Sequence, residues 1–279
     1  MLEGKGAMVW QLRNWQGGDA QAQAQQAKNL GLAWVSIKII DGRSETWENP
    51  RFVPLARQNV SLLPATVAAL RGAGITVAGW GYTYGGVYRA TIFFPSKTIA
   101  QQEGAATVVA LARHGIVEYQ IDAEKEYRKG FNRADRAEAY CLSLMEDSRF
   151  EHSLCSYRFP KTRATDFPTH AFAPYMEAWS PQVYWVLDNR LNGGAAQLEV
   201  CAAEHQRVRP LPMTPIGPTY ADRGWRARPG QLKLFFEKAR SLDRCVGVGV
   251  WCLDQASPDQ LVALAEFEWD DPLPVAPTD

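Results

Sequence analysis

The segment EYQIDAEKEY spans Glu118–Tyr127. Apolar positions at Tyr119 and Ile121 lead in, and carboxylates take over at Asp122, Glu124 and Glu126. Side chains on a strand alternate faces. Asp122 and Glu124 therefore point the same way, joined by Glu126 if the strand continues. A helix over Ile99–His114, stopped by Gly115, precedes this strand, and a helix over Arg133–Asp147 follows it. Helix, strand and helix in that order are the unit of a parallel sheet.

The same rhythm extends outward in both directions. Upstream, strands are predicted at Ala7–Leu12, Ala33–Ile40 and Ile75–Gly81, with helices at Ala20–Leu30 and Leu62–Ala73. Downstream, strands are predicted at Ser153–Phe159, Pro181–Leu187, Leu211–Pro218 and Cys245–Leu253. Helices follow at His170–Met176, Gly194–Arg207, Pro229–Ser241 and from Ser257 to Glu268; the first of these is short and contains Pro174. Eight βα units in 279 residues predict a closed (β/α)8 TIM barrel in one domain over residues 1–270. The competitor is an open doubly wound sheet. No G-x-G-x-x-G follows the first strand, which argues against its nucleotide-binding form. The last residues, 271–279, read as a flexible tail.

Bulk composition narrows the function classes. Lys+Arg and Asp+Glu number 30 each, so no net field recruits nucleic acid or an anionic membrane. No run of about 18 apolar residues predicts a membrane span, and MLEGKGAMVW lacks the pattern of a signal peptide. Synthesis in the cytoplasm is the expectation, and phage-type lysis or injection as an effector would be the route to an extracellular wall. Five scattered cysteines without C-x-x-C spacing predict reduced, buried thiols and no metal site. No cofactor is expected. Ten Trp and ten Tyr suit a core, and also suit sugar binding, since such rings offer an apolar face and a polar edge.

In an α/β barrel, chemistry gathers at the C-terminal ends of the strands. Those positions carry Gln11 and Arg13; Lys38 and Asp41; Trp80, Tyr82 and Tyr84; Asp122, Glu124 and Glu126; Tyr157 and Arg158; Gln182, Tyr184 and Trp185; Tyr220 and Asp222; Trp251, Asp254 and Gln255. His114, His152, His170 and His205 fall in helices or loops, which argues against a histidine metal centre or a Ser-His triad. Paired carboxylates on one face repel, which leaves a proton on one of them near neutral pH. Such a pair supplies an acid and a base or electrostatic stabiliser, as glycoside cleavage requires. The plainer reading is a solvated strand end with Lys125, Arg128 and Lys129 as ion partners. Each aromatic can equally be barrel packing, Trp80 and Trp251 above all.

Several motifs carry a resemblance. Trp34–Phe52 (WVSIKIIDGRSETWENPRF) resembles the second-strand segment of glycoside hydrolase family 25 lysozymes, in which an IKATEG strand runs on to x-D/N-P-x-F. Gly79–Tyr84 (GWGYTY) stands where that family has GxYHF, Ile121–Glu124 (IDAE) is similar to its fourth-strand D-x-E, and Trp251 to its last-strand Trp. The resemblance covers the first half of the chain better than the second. It implies a barrel acting on β-1,4 linkages of peptidoglycan, with Glu124 as general acid and Asp122 orienting the substrate's own acetamido group. Departures are the first strand, AMVWQL, which lacks the family's Asp, Asp41 in place of a Glu, and Val186-Leu187-Asp188, which does not clearly reproduce the family's sixth-strand acid.

The combined expectation is a glycoside hydrolase, cell-wall-lytic and muramidase-like, with catalytic Glu124, Asp122 and Asp41. Tyr82, Tyr84, Glu126, Arg158, Gln182, Tyr184, Trp251 and Asp254 are expected to bind a carbohydrate, peptidoglycan or another amino-sugar polymer. The alternative is a catalytically degenerate barrel that binds glycan or serves a structural role.

Overall fold

A computed structural model describes residues 1–45, 53–86 and 96–270. The tail at 271–279 and the expected D/N-P-x-F motif at 49–52 lie outside the described residues. Eight parallel strands form the sheet: β1 Gly4–Val9, β2 Trp34–Asp41, β3 Thr76–Thr83, β4 Glu118–Ala123, β5 Glu151–Cys155, β6 Ala178–Trp179, β7 Ile216–Pro218 and β8 Gly247–Trp251. Their spatial order is β6-β5-β4-β3-β2-β1-β8-β7. Closure between β6 and β7 comes from Thr214 N donating to Trp179 O at 2.8 Å and Ile216 N to Pro181 O at 2.9 Å. The helices are α1 Ala20–Asn29, α2 Val53–Gly72, α3 Lys97–His114, α4 Arg133–Leu144, α5 Thr169–Phe172, α6 Gly193–Val208, α7 Pro229–Ser241 and α8 Pro258–Glu266. The chain is the expected (β/α)8 barrel.

The strands depart from their expected bounds by one to several residues, and three of them do so for a clear local reason. β1 starts three residues earlier than Ala7, because Lys5 is not a surface residue. Its ammonium donates to Leu264 O at 2.8 Å and to Phe267 O, closing the C-terminal end of α8. β6 and β7 are short because Pro181, Pro212 and Pro215 lack the N–H that a ladder needs. The expected strand at Pro181–Leu187 instead leaves the sheet after single bridges at Gln182, and Leu187 has φ +65°.

Two apolar layers hold the barrel. The larger lies between sheet and helices. The smaller fills the interior with Met8, Trp34, Ala78, Trp80, Cys155 and Ile216, and Trp251 and Tyr184 pack against it. Trp34 is 1% exposed and spans this interior. Burial of an indole of about 200 Å² is worth roughly 5 kcal/mol. Room for it comes from glycines on β1 and β8. A Cβ on Gly249 would sit 2.5 Å from Trp34 Cη2, and one on Gly6 would fall inside the indole itself.

All five cysteines are free and buried. His152 and His205 are buried too, and burial pushes each pKa down to about 4. Among the described residues, no helix is long and apolar enough to cross a membrane.

Gly6→Ala should cost about 3 kcal/mol in urea unfolding through overpacking. Gly72→Ala, where an added methyl meets nothing within 4 Å, should change stability by less than about 1 kcal/mol. Equal costs would mean that Trp34 adapts. The histidines make a second prediction. Their folded pKa lies below the unfolded 6.5, so the stability they contribute is full above pH 6.5 and is lost as pH falls toward 4. His205→Gln should reduce the acid-side fall in unfolding free energy by an amount on the order of 3 kcal/mol at most.

Candidate functional site

β4 delivers the central pair to the C-terminal mouth. Asp122 stands next to last on the strand, in register with Tyr82 on β3 and Cys155 on β5. The strand stops at Ala123, and Glu124 opens a turn in which Tyr127 N donates to Glu124 O at 3.0 Å. Gln182, beyond β6, donates from Nε2 to Asp122 Oδ1 at 2.9 Å. Both carboxyls lie above the ordinary carboxylate range. For Asp122 the causes are burial first and then the Glu124 charge, opposed by Lys38 and Gln182. For Glu124 they are burial, then the Glu126 charge, opposed by Gln182 and Lys125. The pair thus retains a proton at higher pH than isolated carboxylates would.

Asp41 is engaged elsewhere. Its Oδ2 accepts from Lys38 Nζ at 2.7 Å and its Oδ1 from Tyr84 Oη at 2.6 Å. Residues three apart on a regular strand face opposite sides. A bulge in β2 between Lys38 and Ile40 shifts the register and brings both groups to one end of the barrel. Lys38 also stands 4.8 Å above the Trp80 ring. Asp41, expected to be catalytic, is 5% exposed and holds a cation and a phenol in place.

Aromatic rings line the mouth. Trp80 is core: its Nε1 donates to Val9 O at 2.9 Å. Trp251 is half-buried and meets Trp80 edge-on at 4.7 Å. Tyr184 meets Tyr220 edge-on at 5.5 Å. Burial first, and the charges of Asp122 and Glu124 after it, push the Tyr184 phenol up and keep it a hydroxyl donor. Tyr82 packs against Tyr84 at 5.0 Å and donates to Glu126 Oε2. Tyr82 and Glu126, both expected to touch substrate, thus satisfy each other.

Two expected binding residues have other work. Asp254 accepts the backbone N–H groups of Trp10 at 3.0 Å and Gln11 at 3.1 Å, which fastens the end of β1 to the segment after β8. Arg158 lies over Phe159 at 5.1 Å and makes no ion pair with Asp122 or Glu124 among the described residues. Burial and nearby Arg163 push its pKa down.

Sequence reasoning missed the polar support behind the mouth. Glu103 on α3 is fully buried and accepts from Thr83 Oγ1 and from the backbone N–H groups of Tyr84 and Gly85, both at 3.0 Å. Arg136 on α4 is fully buried and donates to Gly85 O at 2.7 Å and Lys129 O at 2.6 Å. Together they hold the loops after β3 and β4. Nothing in the local sequence distinguishes these two from solvent-facing helix charges. Tyr220 was legible only as a strand-end residue; its contact with Tyr184 and Glu124's field required the barrel. No group of three or more His, Cys, Asp or Glu suited to a metal ion occurs among the described residues.

No protein-family model and no curated protein matches the chain. Solved structures do match. XacCel5A, solved in complex with cellopentaose, superposes with TM-score 0.67 at 10% identity over 95% of this chain and 99% of that one. Chitinase RmChi1 from Rhizomucor miehei gives 0.62 at 11% identity over 95% and 99%. An endo-beta-N-acetylglucosaminidase from Cordyceps militaris gives 0.61 at 11% identity over 95% and 90%. These likenesses establish a fold shared with barrel glycosidases. They do not single out family 25 lysozymes.

Lys38→Met should destabilise the protein by about 3–5 kcal/mol, because it strands a buried carboxylate. Lys38→Met combined with Asp41→Leu should recover at least half of that loss in urea denaturation. A double variant no more stable than the single one would show that Lys38 acts through Trp80 instead.

Proposed function

We propose that the protein is a glycoside hydrolase acting on β-linked polymers of N-acetylated amino sugars, peptidoglycan or chitin-type chains. One observation carries the reading. Asp122 and Glu124 stand two residues apart at the C-terminal mouth, both hold their protons more tightly than usual, and Gln182 donates to Asp122 at 2.9 Å. Glu124 gives its proton to the glycosidic oxygen as the bond to the anomeric carbon breaks. The substrate's acetamido oxygen attacks that carbon, and Asp122 accepts the acetamido N–H and offsets the developing positive charge. Glu124, now ionised, takes a proton from the water that opens the cyclic intermediate, and the anomeric configuration is retained. Tyr184 supplies a neutral O–H at the same end of the barrel. The amino-sugar assignment draws support from the chitinases among the matching structures, one solved with chito-oligosaccharides from Pyrococcus furiosus.

A glycan-binding barrel without chemistry is the second reading. It is favoured by β1, which places Met8 in the interior cluster, is followed by Trp10 packed against that cluster, and offers no carboxylate.

Wild type, Glu124→Gln and Asp122→Asn should be compared on peptidoglycan, chitin-type and cello-oligosaccharides, with reducing ends and binding read together. Glu124→Gln should lower release on the order of 10³-fold or more while leaving Tm nearly unchanged. Asp122→Asn should lower release almost as far. Cello-oligosaccharides, which lack the acetamido group, should not be cut. Release should also fall as pH rises through the elevated pKa of the pair. Binding without release by all three proteins would leave the binding barrel. Cutting of cello-oligosaccharides at a comparable rate would remove the acetamido step.

A further inference from the structure

Phe159, just beyond β5, carries two guanidiniums on its ring. Arg158 stands 5.1 Å from the ring centroid and Arg163 stands 5.3 Å from it. Among the described residues neither guanidinium has a hydrogen bond or an ion pair. Arg158 is half-buried and its Nε is fully buried without a partner, while Arg163 is exposed. Stacking explains one cation laid over a phenyl ring. It does not explain a second cation on the same ring, nor a buried N–H left unmatched.

The pair is held in place. Arg163 N donates to Phe159 O at 3.1 Å and Ala164 N to the same oxygen at 2.9 Å, so the turn after Phe159 brings Arg163 back to its ring. Buried Glu204 on α6 fastens that turn, accepting from Lys161 N at 2.6 Å, Thr162 N at 3.2 Å and Thr162 Oγ1 at 2.5 Å. Its carboxylate is spent there. Asp166 is paired with Arg128 at 2.6 Å. The pair also belongs to the mouth. Ser156, two residues before Arg158, donates from Oγ to Ala123 O at 2.5 Å, next to Glu124. Tyr157 is bridged to Gln182, whose side chain donates to Asp122 at 2.9 Å.

We propose that Arg158 and Arg163, held on Phe159, form an anion site that takes a carboxylate of the glycan, so that the preferred substrate is an acidic amino-sugar chain of the peptidoglycan type and not neutral chitin. This deepens the hydrolase reading and rests on it for its catalytic meaning. The planar guanidinium fork matches a carboxylate in two parallel hydrogen bonds. A neutral amino-sugar chain offers only hydroxyls and acetamides. Peptidoglycan offers carboxylates, on the lactyl ether of its sugar or on its peptide stem.

The test is binding, read by calorimetry at low salt in Glu124→Gln protein, so that no probe is consumed. The probes are chitotetraose, a tetrasaccharide of alternating N-acetylglucosamine and N-acetylmuramic acid with free lactyl carboxylates, and the same tetrasaccharide bearing peptide stems. An acidic probe should bind about tenfold or more tighter than chitotetraose. Arg163→Gln, at an exposed position, should leave Tm unchanged and cut that preference to about threefold or less. Arg158→Lys keeps the charge, loses the fork and should cut it partway. If Arg158→Lys fails to fold, Arg163→Gln decides alone. Preference for the stem-free probe puts the carboxylate on the sugar, and preference for the stem-bearing probe alone puts it on the stem; either upholds the proposal. Equal binding of all three probes, or a preference that both substitutions leave untouched, overturns it and leaves the guanidiniums as cover for Phe159. Binding of no probe overturns it together with the amino-sugar reading. Preference for an acidic probe, in a protein that releases no reducing ends when Glu124 is present, upholds the anion site and removes the hydrolase reading.

Discussion

The barrel depends on one space-filling contact, the Trp34 indole laid across its interior. A strand ring of this size leaves a central volume that side chains must fill. Here a single large ring does so from β2, and Gly6 on the adjoining β1 and Gly249 on the next strand, β8, make room for it. Met8, Trp80 and Ile216 complete the plug. With the interior closed, Trp251 and Tyr184 rest on it as a floor, and the strand ends above become a place where polar side chains converge.

That convergence is stable because each charge at the mouth has a defined partner or a defined burden. Lys38 and Asp41 neutralise each other beside Tyr84. Asp254 is taken up by the backbone of β1. Asp122, Glu124 and Glu126 remain as three carboxylates on one short segment, with Gln182 and Tyr82 as neutral donors. Repulsion within such a cluster is relieved by proton retention more readily than by solvation, because the walls are aromatic. Glu103 and Arg136, both fully buried, tie the loops that carry Tyr84 and Lys129 to the helix layer, which limits how far the cluster can relax.

Much of this was visible in the residue order. The period-two run of Glu118–Tyr127 marks a strand ending in carboxylates, and β4 carries Asp122 while Glu124 opens the turn after it. Glycine stops such as Gly115 and caps such as Asp19 and Ser257 mark helix ends locally. Prolines were a less faithful guide. Pro181, Pro212 and Pro215 cut two apolar runs into short ladders, so hydrophobicity overstated their strand length. The role of Asp41 was not legible, because the β2 bulge that turns it toward Lys38 leaves no mark in composition. Glu126 read as a third carboxylate on a continuing strand, whereas the chain turns after Ala123 and sends it to Tyr82.

The sequence by itself determined the alternation of strands and helices, the count of eight units, and the acidic segment that ends β4. Those features follow from local periodicity and backbone stops, which act over a few residues. Only the tertiary structure decided which charges meet. Lys38 with Asp41 needed a bulge, Glu103 with the Tyr84 loop joined α3 to β3, and Gln182 with Asp122 spanned 60 residues. Such pairings are set by barrel closure and by the high cost of leaving a buried polar group unmatched, and neither constraint is written in any one stretch of the chain.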